Sequence, residues 1–172
     1  FQFDTTISGH SITDFSYKFT PWNTMTKLHE RSISLSDPIV DNYLSITDDE
    51  DRPINLKDFE IGTIRFRGYI FDLDTFILKM GVSDKSGFKS YLKSNGGIRV
   101  FRDGLRVYDY GEPENDWLSL DYRRFQQPTK AISNNLIVGA VDLNRSESSD
   151  LEEKTNREGF IDNDAYNAFK NA

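Results

Sequence analysis

The chain has 172 residues, enough for one domain with one core, or one domain plus an extension, and cramped for two. Hydrophobic residues make up 37% of it, with 13 Phe and 8 Tyr, which excludes a disordered tail. A formal net charge of −7 argues against nucleic acid or an anionic membrane as the main partner, since both reward net positive charge.

There is no cysteine, so disulfides, thiolate zinc sites and cysteine nucleophiles are excluded, in keeping with a cytoplasmic location. No run approaches the roughly 20 apolar residues of a membrane helix, and the first residues lack the basic start and apolar stretch of a signal peptide. No membrane partner is expected. The sequence opens on Phe1 rather than Met, which suggests a piece of a longer polypeptide.

Residues 1–19 alternate apolar and polar in two runs around Ser8 and Gly9, the pattern of two strands joined by a turn. From Pro21 to Leu35 the pattern is mixed, and Trp22, Met25 and Leu28 fall at helical spacing, so a short helix is expected. Residues 36–58 are punctuated by Pro38, Pro53 and the acidic run Asp48, Asp49, Glu50, Asp51, and read as an excursion or solvated loop.

A strand follows in "GTIRFRGYIFDL", where Ile64, Phe66, either Tyr69 or Ile70, and Phe71 alternate with Arg65 and Arg67. "SDKSGFKSYLKSNGG" reads as a helix of about three turns, with Ser83 or Asp84 as N-cap and Gly96 and Gly97 as the stop. "IRVFRDGLRVYDYG" is a hairpin about Asp103–Gly104, a pair suited to the positive φ of a tight turn. Residues 112–135 form a long polar loop with one helical turn. "LIVGAVDL", residues 136–143, is a buried central strand. The chain ends on a helix that places Phe160, Ile161, Ala165, Tyr166 and Phe169 on one face. The succession predicts an α+β fold in which a mainly antiparallel sheet packs against helices on one face.

The phosphate-cradling glycine loops, the G-x-S-x-G nucleophile elbow and H-E-x-x-H are all absent, which disfavours a self-contained nucleotide hydrolase. His10 and His29 have no partner at metal-ligand spacing and read as surface residues; no metal site is expected from them. Asp72 and Asp74 are either ligands of a hard cation or strand-end carboxylates facing water. "YRRFQQPTK" mixes Arg123, Arg124 and Lys130 with Phe125, the combination used on single-stranded nucleic acid, although the net charge opposes that use.

The last motif is "EEKTNREGF", residues 152–160. Lys154 and Arg157, flanked by Glu153 and Glu158, either solubilise a loop and a helix start or are aimed at an anion. Cations near a helix N-terminus oppose the macrodipole, which favours the second reading.

"NGGIRVFRDGLRVYDYGEPENDWLSLD", "NNLIVGAVDL" and "KTNREGFIDNDAY" together resemble the region that follows the nucleotide-binding domain in bacterial GHKL-type ATPases, the superfamily of DNA gyrase B, the heat-shock chaperone Hsp-ninety, histidine kinases and MutL. Within it they look most like bacterial ATP-binding proteins similar to MORC proteins. The resemblance covers about residues 60–172 and implies two parts: a family-specific extension over 1–58, packed on the same sheet or inserted, and a transducer-like domain over 59–172. It implies a ribosomal-protein-like fold with a left-handed βαβ crossover.

In that superfamily a loop after a core strand sends one cation to the γ-phosphate of ATP bound next door. Gyrase and its relatives use the Lys of a Q-T-K loop, and MORC-like proteins the Lys of an H-N-K loop. By position Asn156–Arg157 matches that loop, with Arg where the family has Lys. The resemblance therefore implies Arg157 as the phosphate-contacting residue, Lys154 in reserve, and Asn156 and Thr155 as residues that orient the loop. ATP and Mg²⁺ are its implied cofactors, bound mainly by an upstream domain of the same chain, and ATP-driven dimerisation is its implied mode of assembly. The fragment is not expected to be catalytic alone. The rival expectation is an interaction module that binds protein or single-stranded nucleic acid through Arg123, Arg124, Phe125 and Lys130.

Overall fold

The computed structural model describes residues 1–172 apart from 39, 41–45, 49–51, 129–130 and 157. Among these described residues seven strands form one sheet: β1 (Gln2–Ser8), β2 (Ser11–Phe19), β3 (Arg31–Ser34), β4 (Ile64–Ile70), β5 (Gly97–Arg102), β6 (Leu105–Val107) and β7 (Ile137–Leu143). Their order is β3-β2-β1-β4-β7-β5-β6, and every neighbouring pair is antiparallel except β5 with β7. Among the described residues four α-helices accompany the sheet: α1 (Thr75–Gly81), α2 (Lys85–Asn95), α3 (Leu120–Gln126) and α4 (Asp164–Asn171). The protein is α+β with a mostly antiparallel sheet.

The alternation of the strands gives the sheet two unlike faces, since residues paired across a ladder point the same way. One row of the apolar face runs Phe3, Gly68, Gly139, Ile98, and the next runs Thr5, Phe66, Val141, Val100, Val107. Ala165, Ala168 and Phe169 of α4 belong to the same buried cluster as these strands, together with Leu56, Ile61, Leu151 and Phe160 from the connections. Gly68 is required by close approach: a Cβ there would collide with the Val138 carbonyl and crowd Phe3, whose ring packs edge-on against Phe66 at 4.7 Å.

The opposite face carries charge pairs. Arg65 holds Asp4 with two bonds, Nε to Oδ1 at 3.1 Å and Nη2 to Oδ2 at 2.7 Å, and Arg67 pairs with Asp142 at 3.0 Å. The Arg65 guanidinium holds the Asp4 carboxyl below its usual range. These pairs are solvent-facing and screened by water and salt, so they add little stability.

Several elements stand where the sequence puts them. β1 and β2 meet at the expected turn, Asp84 caps α2 by accepting from Gly87 N, and Asp103 and Gly104 both have positive φ in the β5–β6 turn. β7 is central, with β4 and β5 as neighbours.

Other elements differ. The expected helix over 21–35 is absent: Met25 N bonds Trp22 O and Leu28 N bonds Met25 O, so the three-residue spacing of Trp22, Met25 and Leu28 marks two successive turns. Residues 31–34 then pair with β2 as an edge strand. The excursion at 36–58 is not wholly solvated, for Ile46 and Leu56 are buried in the core; Asp49, Glu50 and Asp51 lie outside the described residues. Asp72 and Asp74 are exposed carboxylates just beyond the end of β4, as the second alternative has them, and both also accept backbone hydrogen bonds. Asp74 caps α1 by accepting from Phe76 N and Ile77 N, and Asp72 accepts from Asp74 N. Ile161, expected on the terminal helix, precedes it and is 41% exposed. β1 of the N-terminal segment lies between β2 and β4, so residues on both sides of position 58 share one sheet. Among the described residues no helix is long and apolar enough to cross a membrane.

Candidate functional site

Between β7 and α4 the chain makes a wide turn and then a narrow hairpin, residues 152–161. The ends of the hairpin are joined by the Glu153–Phe160 bridge and by Ile161 N to Glu152 O at 2.7 Å. Lys154 N donates to Gly159 O at 3.0 Å, which closes the neck of the loop. Lys154, Thr155 and Asn156 are exposed at its tip; Arg157 lies outside the described residues. Asn156 gives the tip local order, with Nδ2 donating to Glu158 Oε2 at 2.7 Å and Oδ1 accepting from Glu158 N at 3.1 Å. Thr155 is exposed beside it. Lys154 forms no ion pair with any described residue.

The first helical residue of α4 is Asp164, with Asn163 as its cap accepting from Tyr166 N, so Lys154 and Arg157 precede the helix by more than a turn. The macrodipole, which acts within the first turn, says nothing about them. The acidic residue favoured at a helix start is present as Asp164.

The hairpin is held from below by a residue that sequence reasoning missed. Arg102 ends β5 on the apolar face, two residues beyond Val100, and is only 6% exposed. Its Nε donates to Ser148 Oγ at 3.0 Å, Nη1 to Leu151 O at 2.9 Å and to Glu153 Oε1 at 3.2 Å, and Nη2 to the Ser148 carbonyl. The guanidinium also lies over the Phe160 ring, 5.6 Å from its centroid. Ser148 passes the network on, donating from Oγ to Asn144 O at 2.7 Å. Residues 144–153 are thus wrapped around one buried cation, and its one carboxylate partner among the described residues, Glu153, is the residue from which the hairpin rises. The signal was present: Ile98, Val100 and Arg102 share a period of two, so an alternating strand puts a guanidinium among apolar side chains.

The other leg rests on Tyr110. Its hydroxyl accepts from Phe160 N at 2.9 Å, its ring packs against Trp117 at 4.9 Å and Phe160 at 5.7 Å, and Gly159 N donates to the nearby Tyr108 carbonyl. Burial drives the Tyr110 phenol far above its ordinary value, and burial likewise raises Tyr166.

The second set of expected residues stands elsewhere. Arg123, Arg124 and Phe125 lie on α3, where Asp116 accepts from Leu120 N and Asp121 N, and Asp121 ties the helix to Ser133 and Asn134. No residue of α3 is buried; Tyr122 is 66% and Phe125 80% exposed. Lys130 lies outside the described residues. No group of three or more possible metal ligands occurs among the described residues.

Replacing Arg102 by Leu strands the carbonyls of Ser148 and Leu151 and removes the partner of Glu153. Loss of about 3–5 kcal/mol is expected, the range for breaking a buried charged network from one side, read from urea unfolding. Tyr110→Phe removes the acceptor of a buried N–H and should lower stability at neutral pH by about 1–3 kcal/mol. Because the folded-state phenol pKa lies above the unfolded value near 10, its contribution is complete below about pH 10 and is lost as pH rises further. Alkaline unfolding should therefore steepen above about pH 10 and be shallower in Tyr110→Phe. No protein-family model, no curated protein and no solved structure matches the chain.

Proposed function

We propose that the chain is the transducer-like part of a GHKL-type ATPase, whose 152–161 hairpin offers a cation to the γ-phosphate of ATP held by an upstream domain. The single observation in support is the division of the hairpin: its base is fixed by Arg102 and Tyr110, while Lys154 stands exposed at the tip without an ion-pair partner among the described residues. The reading assigns the phosphate contact to Arg157, with Lys154 beside it and Asn156 and Thr155 orienting the turn.

The residues fit a phosphate on chemical grounds. An ammonium is a compact point charge, and a guanidinium offers a planar fork to two phosphate oxygens; both remain charged at neutral pH. ATP bound next door supplies the phosphoryl group whose transfer develops charge on its terminal oxygens. The hairpin's part is to bring positive charge to that point and to register whether the phosphate is there. The parallel β5–β7 pair, joined through residues 103–136, is where the crossover of such a domain would run. Coupling of ATP state to domain movement or dimer closure follows from the same contact, because an interaction present only with the γ-phosphate favours one arrangement over another.

In the polypeptide that joins this chain to its nucleotide-binding domain, Arg157→Ala with Lys154→Ala should lower kcat by about 10²–10³-fold, the range for removing one preorganised charge-stabilising group. The dissociation constant of ATP should change little. Undiminished turnover in the double variant overturns the reading.

A second reading draws on α3, whose exposed Tyr122 and Phe125 stand beside Arg123 and Arg124. Rings of this kind stack on bases while guanidinium groups meet phosphates. Fluorescence polarisation with labelled single-stranded DNA should then show binding that weakens with salt and is lost in Phe125→Ala. Absence of binding at low salt removes it.

A further inference from the structure

A cleft of about 620 Å³ lies between the last turns of α2, the 113–116 turn, the start of α3 and the short 3-10 turn at Asn134–Leu136. Its volume falls inside the range of small-molecule sites, about 300–1,000 Å³. The frame is firm. At Gly96 a Cβ would strike the Asn135 backbone, so the end of α2 and the 134–136 turn meet without a gap. Asp121 Oδ1 accepts from Ser133 Oγ at 2.6 Å and from Asn134 N at 3.1 Å, which ties that turn to α3.

One wall residue is out of keeping with its burial. Asn134 is only 8% exposed, and its backbone is engaged on both sides, N–H with Asp121 and carbonyl with Ile137 N, yet its carboxamide makes no hydrogen bond with any described residue. No fully enclosed side-chain N or O among the described residues lacks a partner, so this carboxamide opens onto the cleft it lines. A buried amide left unpaired is destabilising, and a ligand that meets its donors and acceptor removes the penalty.

Charge narrows the ligand. Glu114, Asp116 and Asp121 line the cleft against one ammonium, Lys93, and none of the four is in an ion pair among the described residues. α2 also ends here. The carbonyls of Lys93 and Ser94 accept no hydrogen bond among the described residues and carry the negative end of the helix dipole. Both features favour a cation. The acceptors do not converge on one point, because no three possible metal ligands among the described residues could hold an ion. The cation must therefore be wider than a metal and must donate in several directions. A guanidinium does this with five N–H donors in one plane, whereas an ammonium donates from a single nitrogen.

We infer that this cleft binds a guanidinium group, whose N–H donors meet Asn134 Oδ1 and the open carbonyls at the end of α2, and whose charge is balanced by Glu114 and Asp121. Two sources carry that chemistry, a free small guanidine of the agmatine type and an arginine side chain presented by a peptide. The inference is independent of the ATPase reading.

Three probes of one shape test it by calorimetry: n-butylguanidinium, n-butylammonium and the neutral n-butylurea. The guanidinium should bind about tenfold or more tightly than either of the others, since one lacks the fork and the other the charge. In NMR spectra it should shift the side-chain NH₂ resonances of Asn134, which Asn134→Leu identifies by their disappearance. The same variant should weaken butylguanidinium binding about tenfold and leave the urea unfolding midpoint unchanged or raised, because the carboxamide has no partner in the fold to lose. Glu114→Gln, an exposed change that keeps the shape, should weaken binding about threefold or more. Comparing agmatine with N-acetyl-arginine methylamide identifies the source by the tighter ligand. The inference is overturned by butylurea or butylammonium binding as well as the guanidinium, or by affinity that survives Asn134→Leu. A lowered unfolding midpoint in that variant also overturns it, since the carboxamide would then serve the fold.

Discussion

The buried guanidinium of Arg102 is the contact on which the C-terminal third of the molecule depends. A cation taken out of water is destabilising by several kcal/mol unless its donors are met. Here the Ser148 hydroxyl and carbonyl, the Leu151 carbonyl and the Glu153 carboxylate meet them, all from one stretch of connection. The dependence is mutual. Without Arg102 the buried carbonyls of that stretch have no donor, and without the stretch the guanidinium has no acceptor. A connection with little regular structure of its own is thereby given a defined path from β7 to the 152–161 hairpin.

The same logic, with the sign of solvation reversed, separates the two faces of the sheet. On one face the alternation delivers Ile98, Val100 and Val141 to α4 and to the connections, and the core follows from burial of apolar area. On the other, Asp4, Arg65, Arg67 and Asp142 form solvent-facing pairs that add little stability but discourage a one-residue slip, which would drive those charges into the core. β1 carries both patterns at once and lies between β2 and β4, so the first 19 residues extend the same sheet.

What could be read from the sequence was what local chemistry decides. The β5–β6 hairpin is carried by Asp103 and Gly104, two residues whose backbone preference is sufficient, and α2 by an Asp cap and a glycine stop. The failures are non-local. Trp22, Met25 and Leu28 have helical spacing, yet they mark two successive turns, and 31–34 pairs with the edge of β2, a partner that no local pattern names. α1 was hidden because a carboxylate that caps a helix and one that ends a strand look alike until the two N–H groups it accepts are known. Arg102 was visible as an odd member of an apolar series, but its partners lie 46 to 51 residues further on, and nothing local names them. The tip of the hairpin was legible as a cationic motif, while its distance from α4 was not.

Arg102 and Lys154 show how position decides what a cation can do. Every interaction recorded for Arg102 is internal, so its charge is spent on the fold and is closed to any outside partner. Lys154 is anchored through its backbone by the bond to Gly159, while its side chain is exposed and has no ion-pair partner among the described residues. Ordering such a side chain is unfavourable by up to about 2 kcal/mol, a modest sum against a charge-assisted hydrogen bond to an anion. Had the backbone at the neck also been free, Lys154 and Gly159 would each have added roughly 1–2 kcal/mol of lost entropy on docking. A stiff neck with a loose side chain therefore keeps the ordering penalty small for an encounter outside the domain, and the stiffness comes from the buried arginine below it.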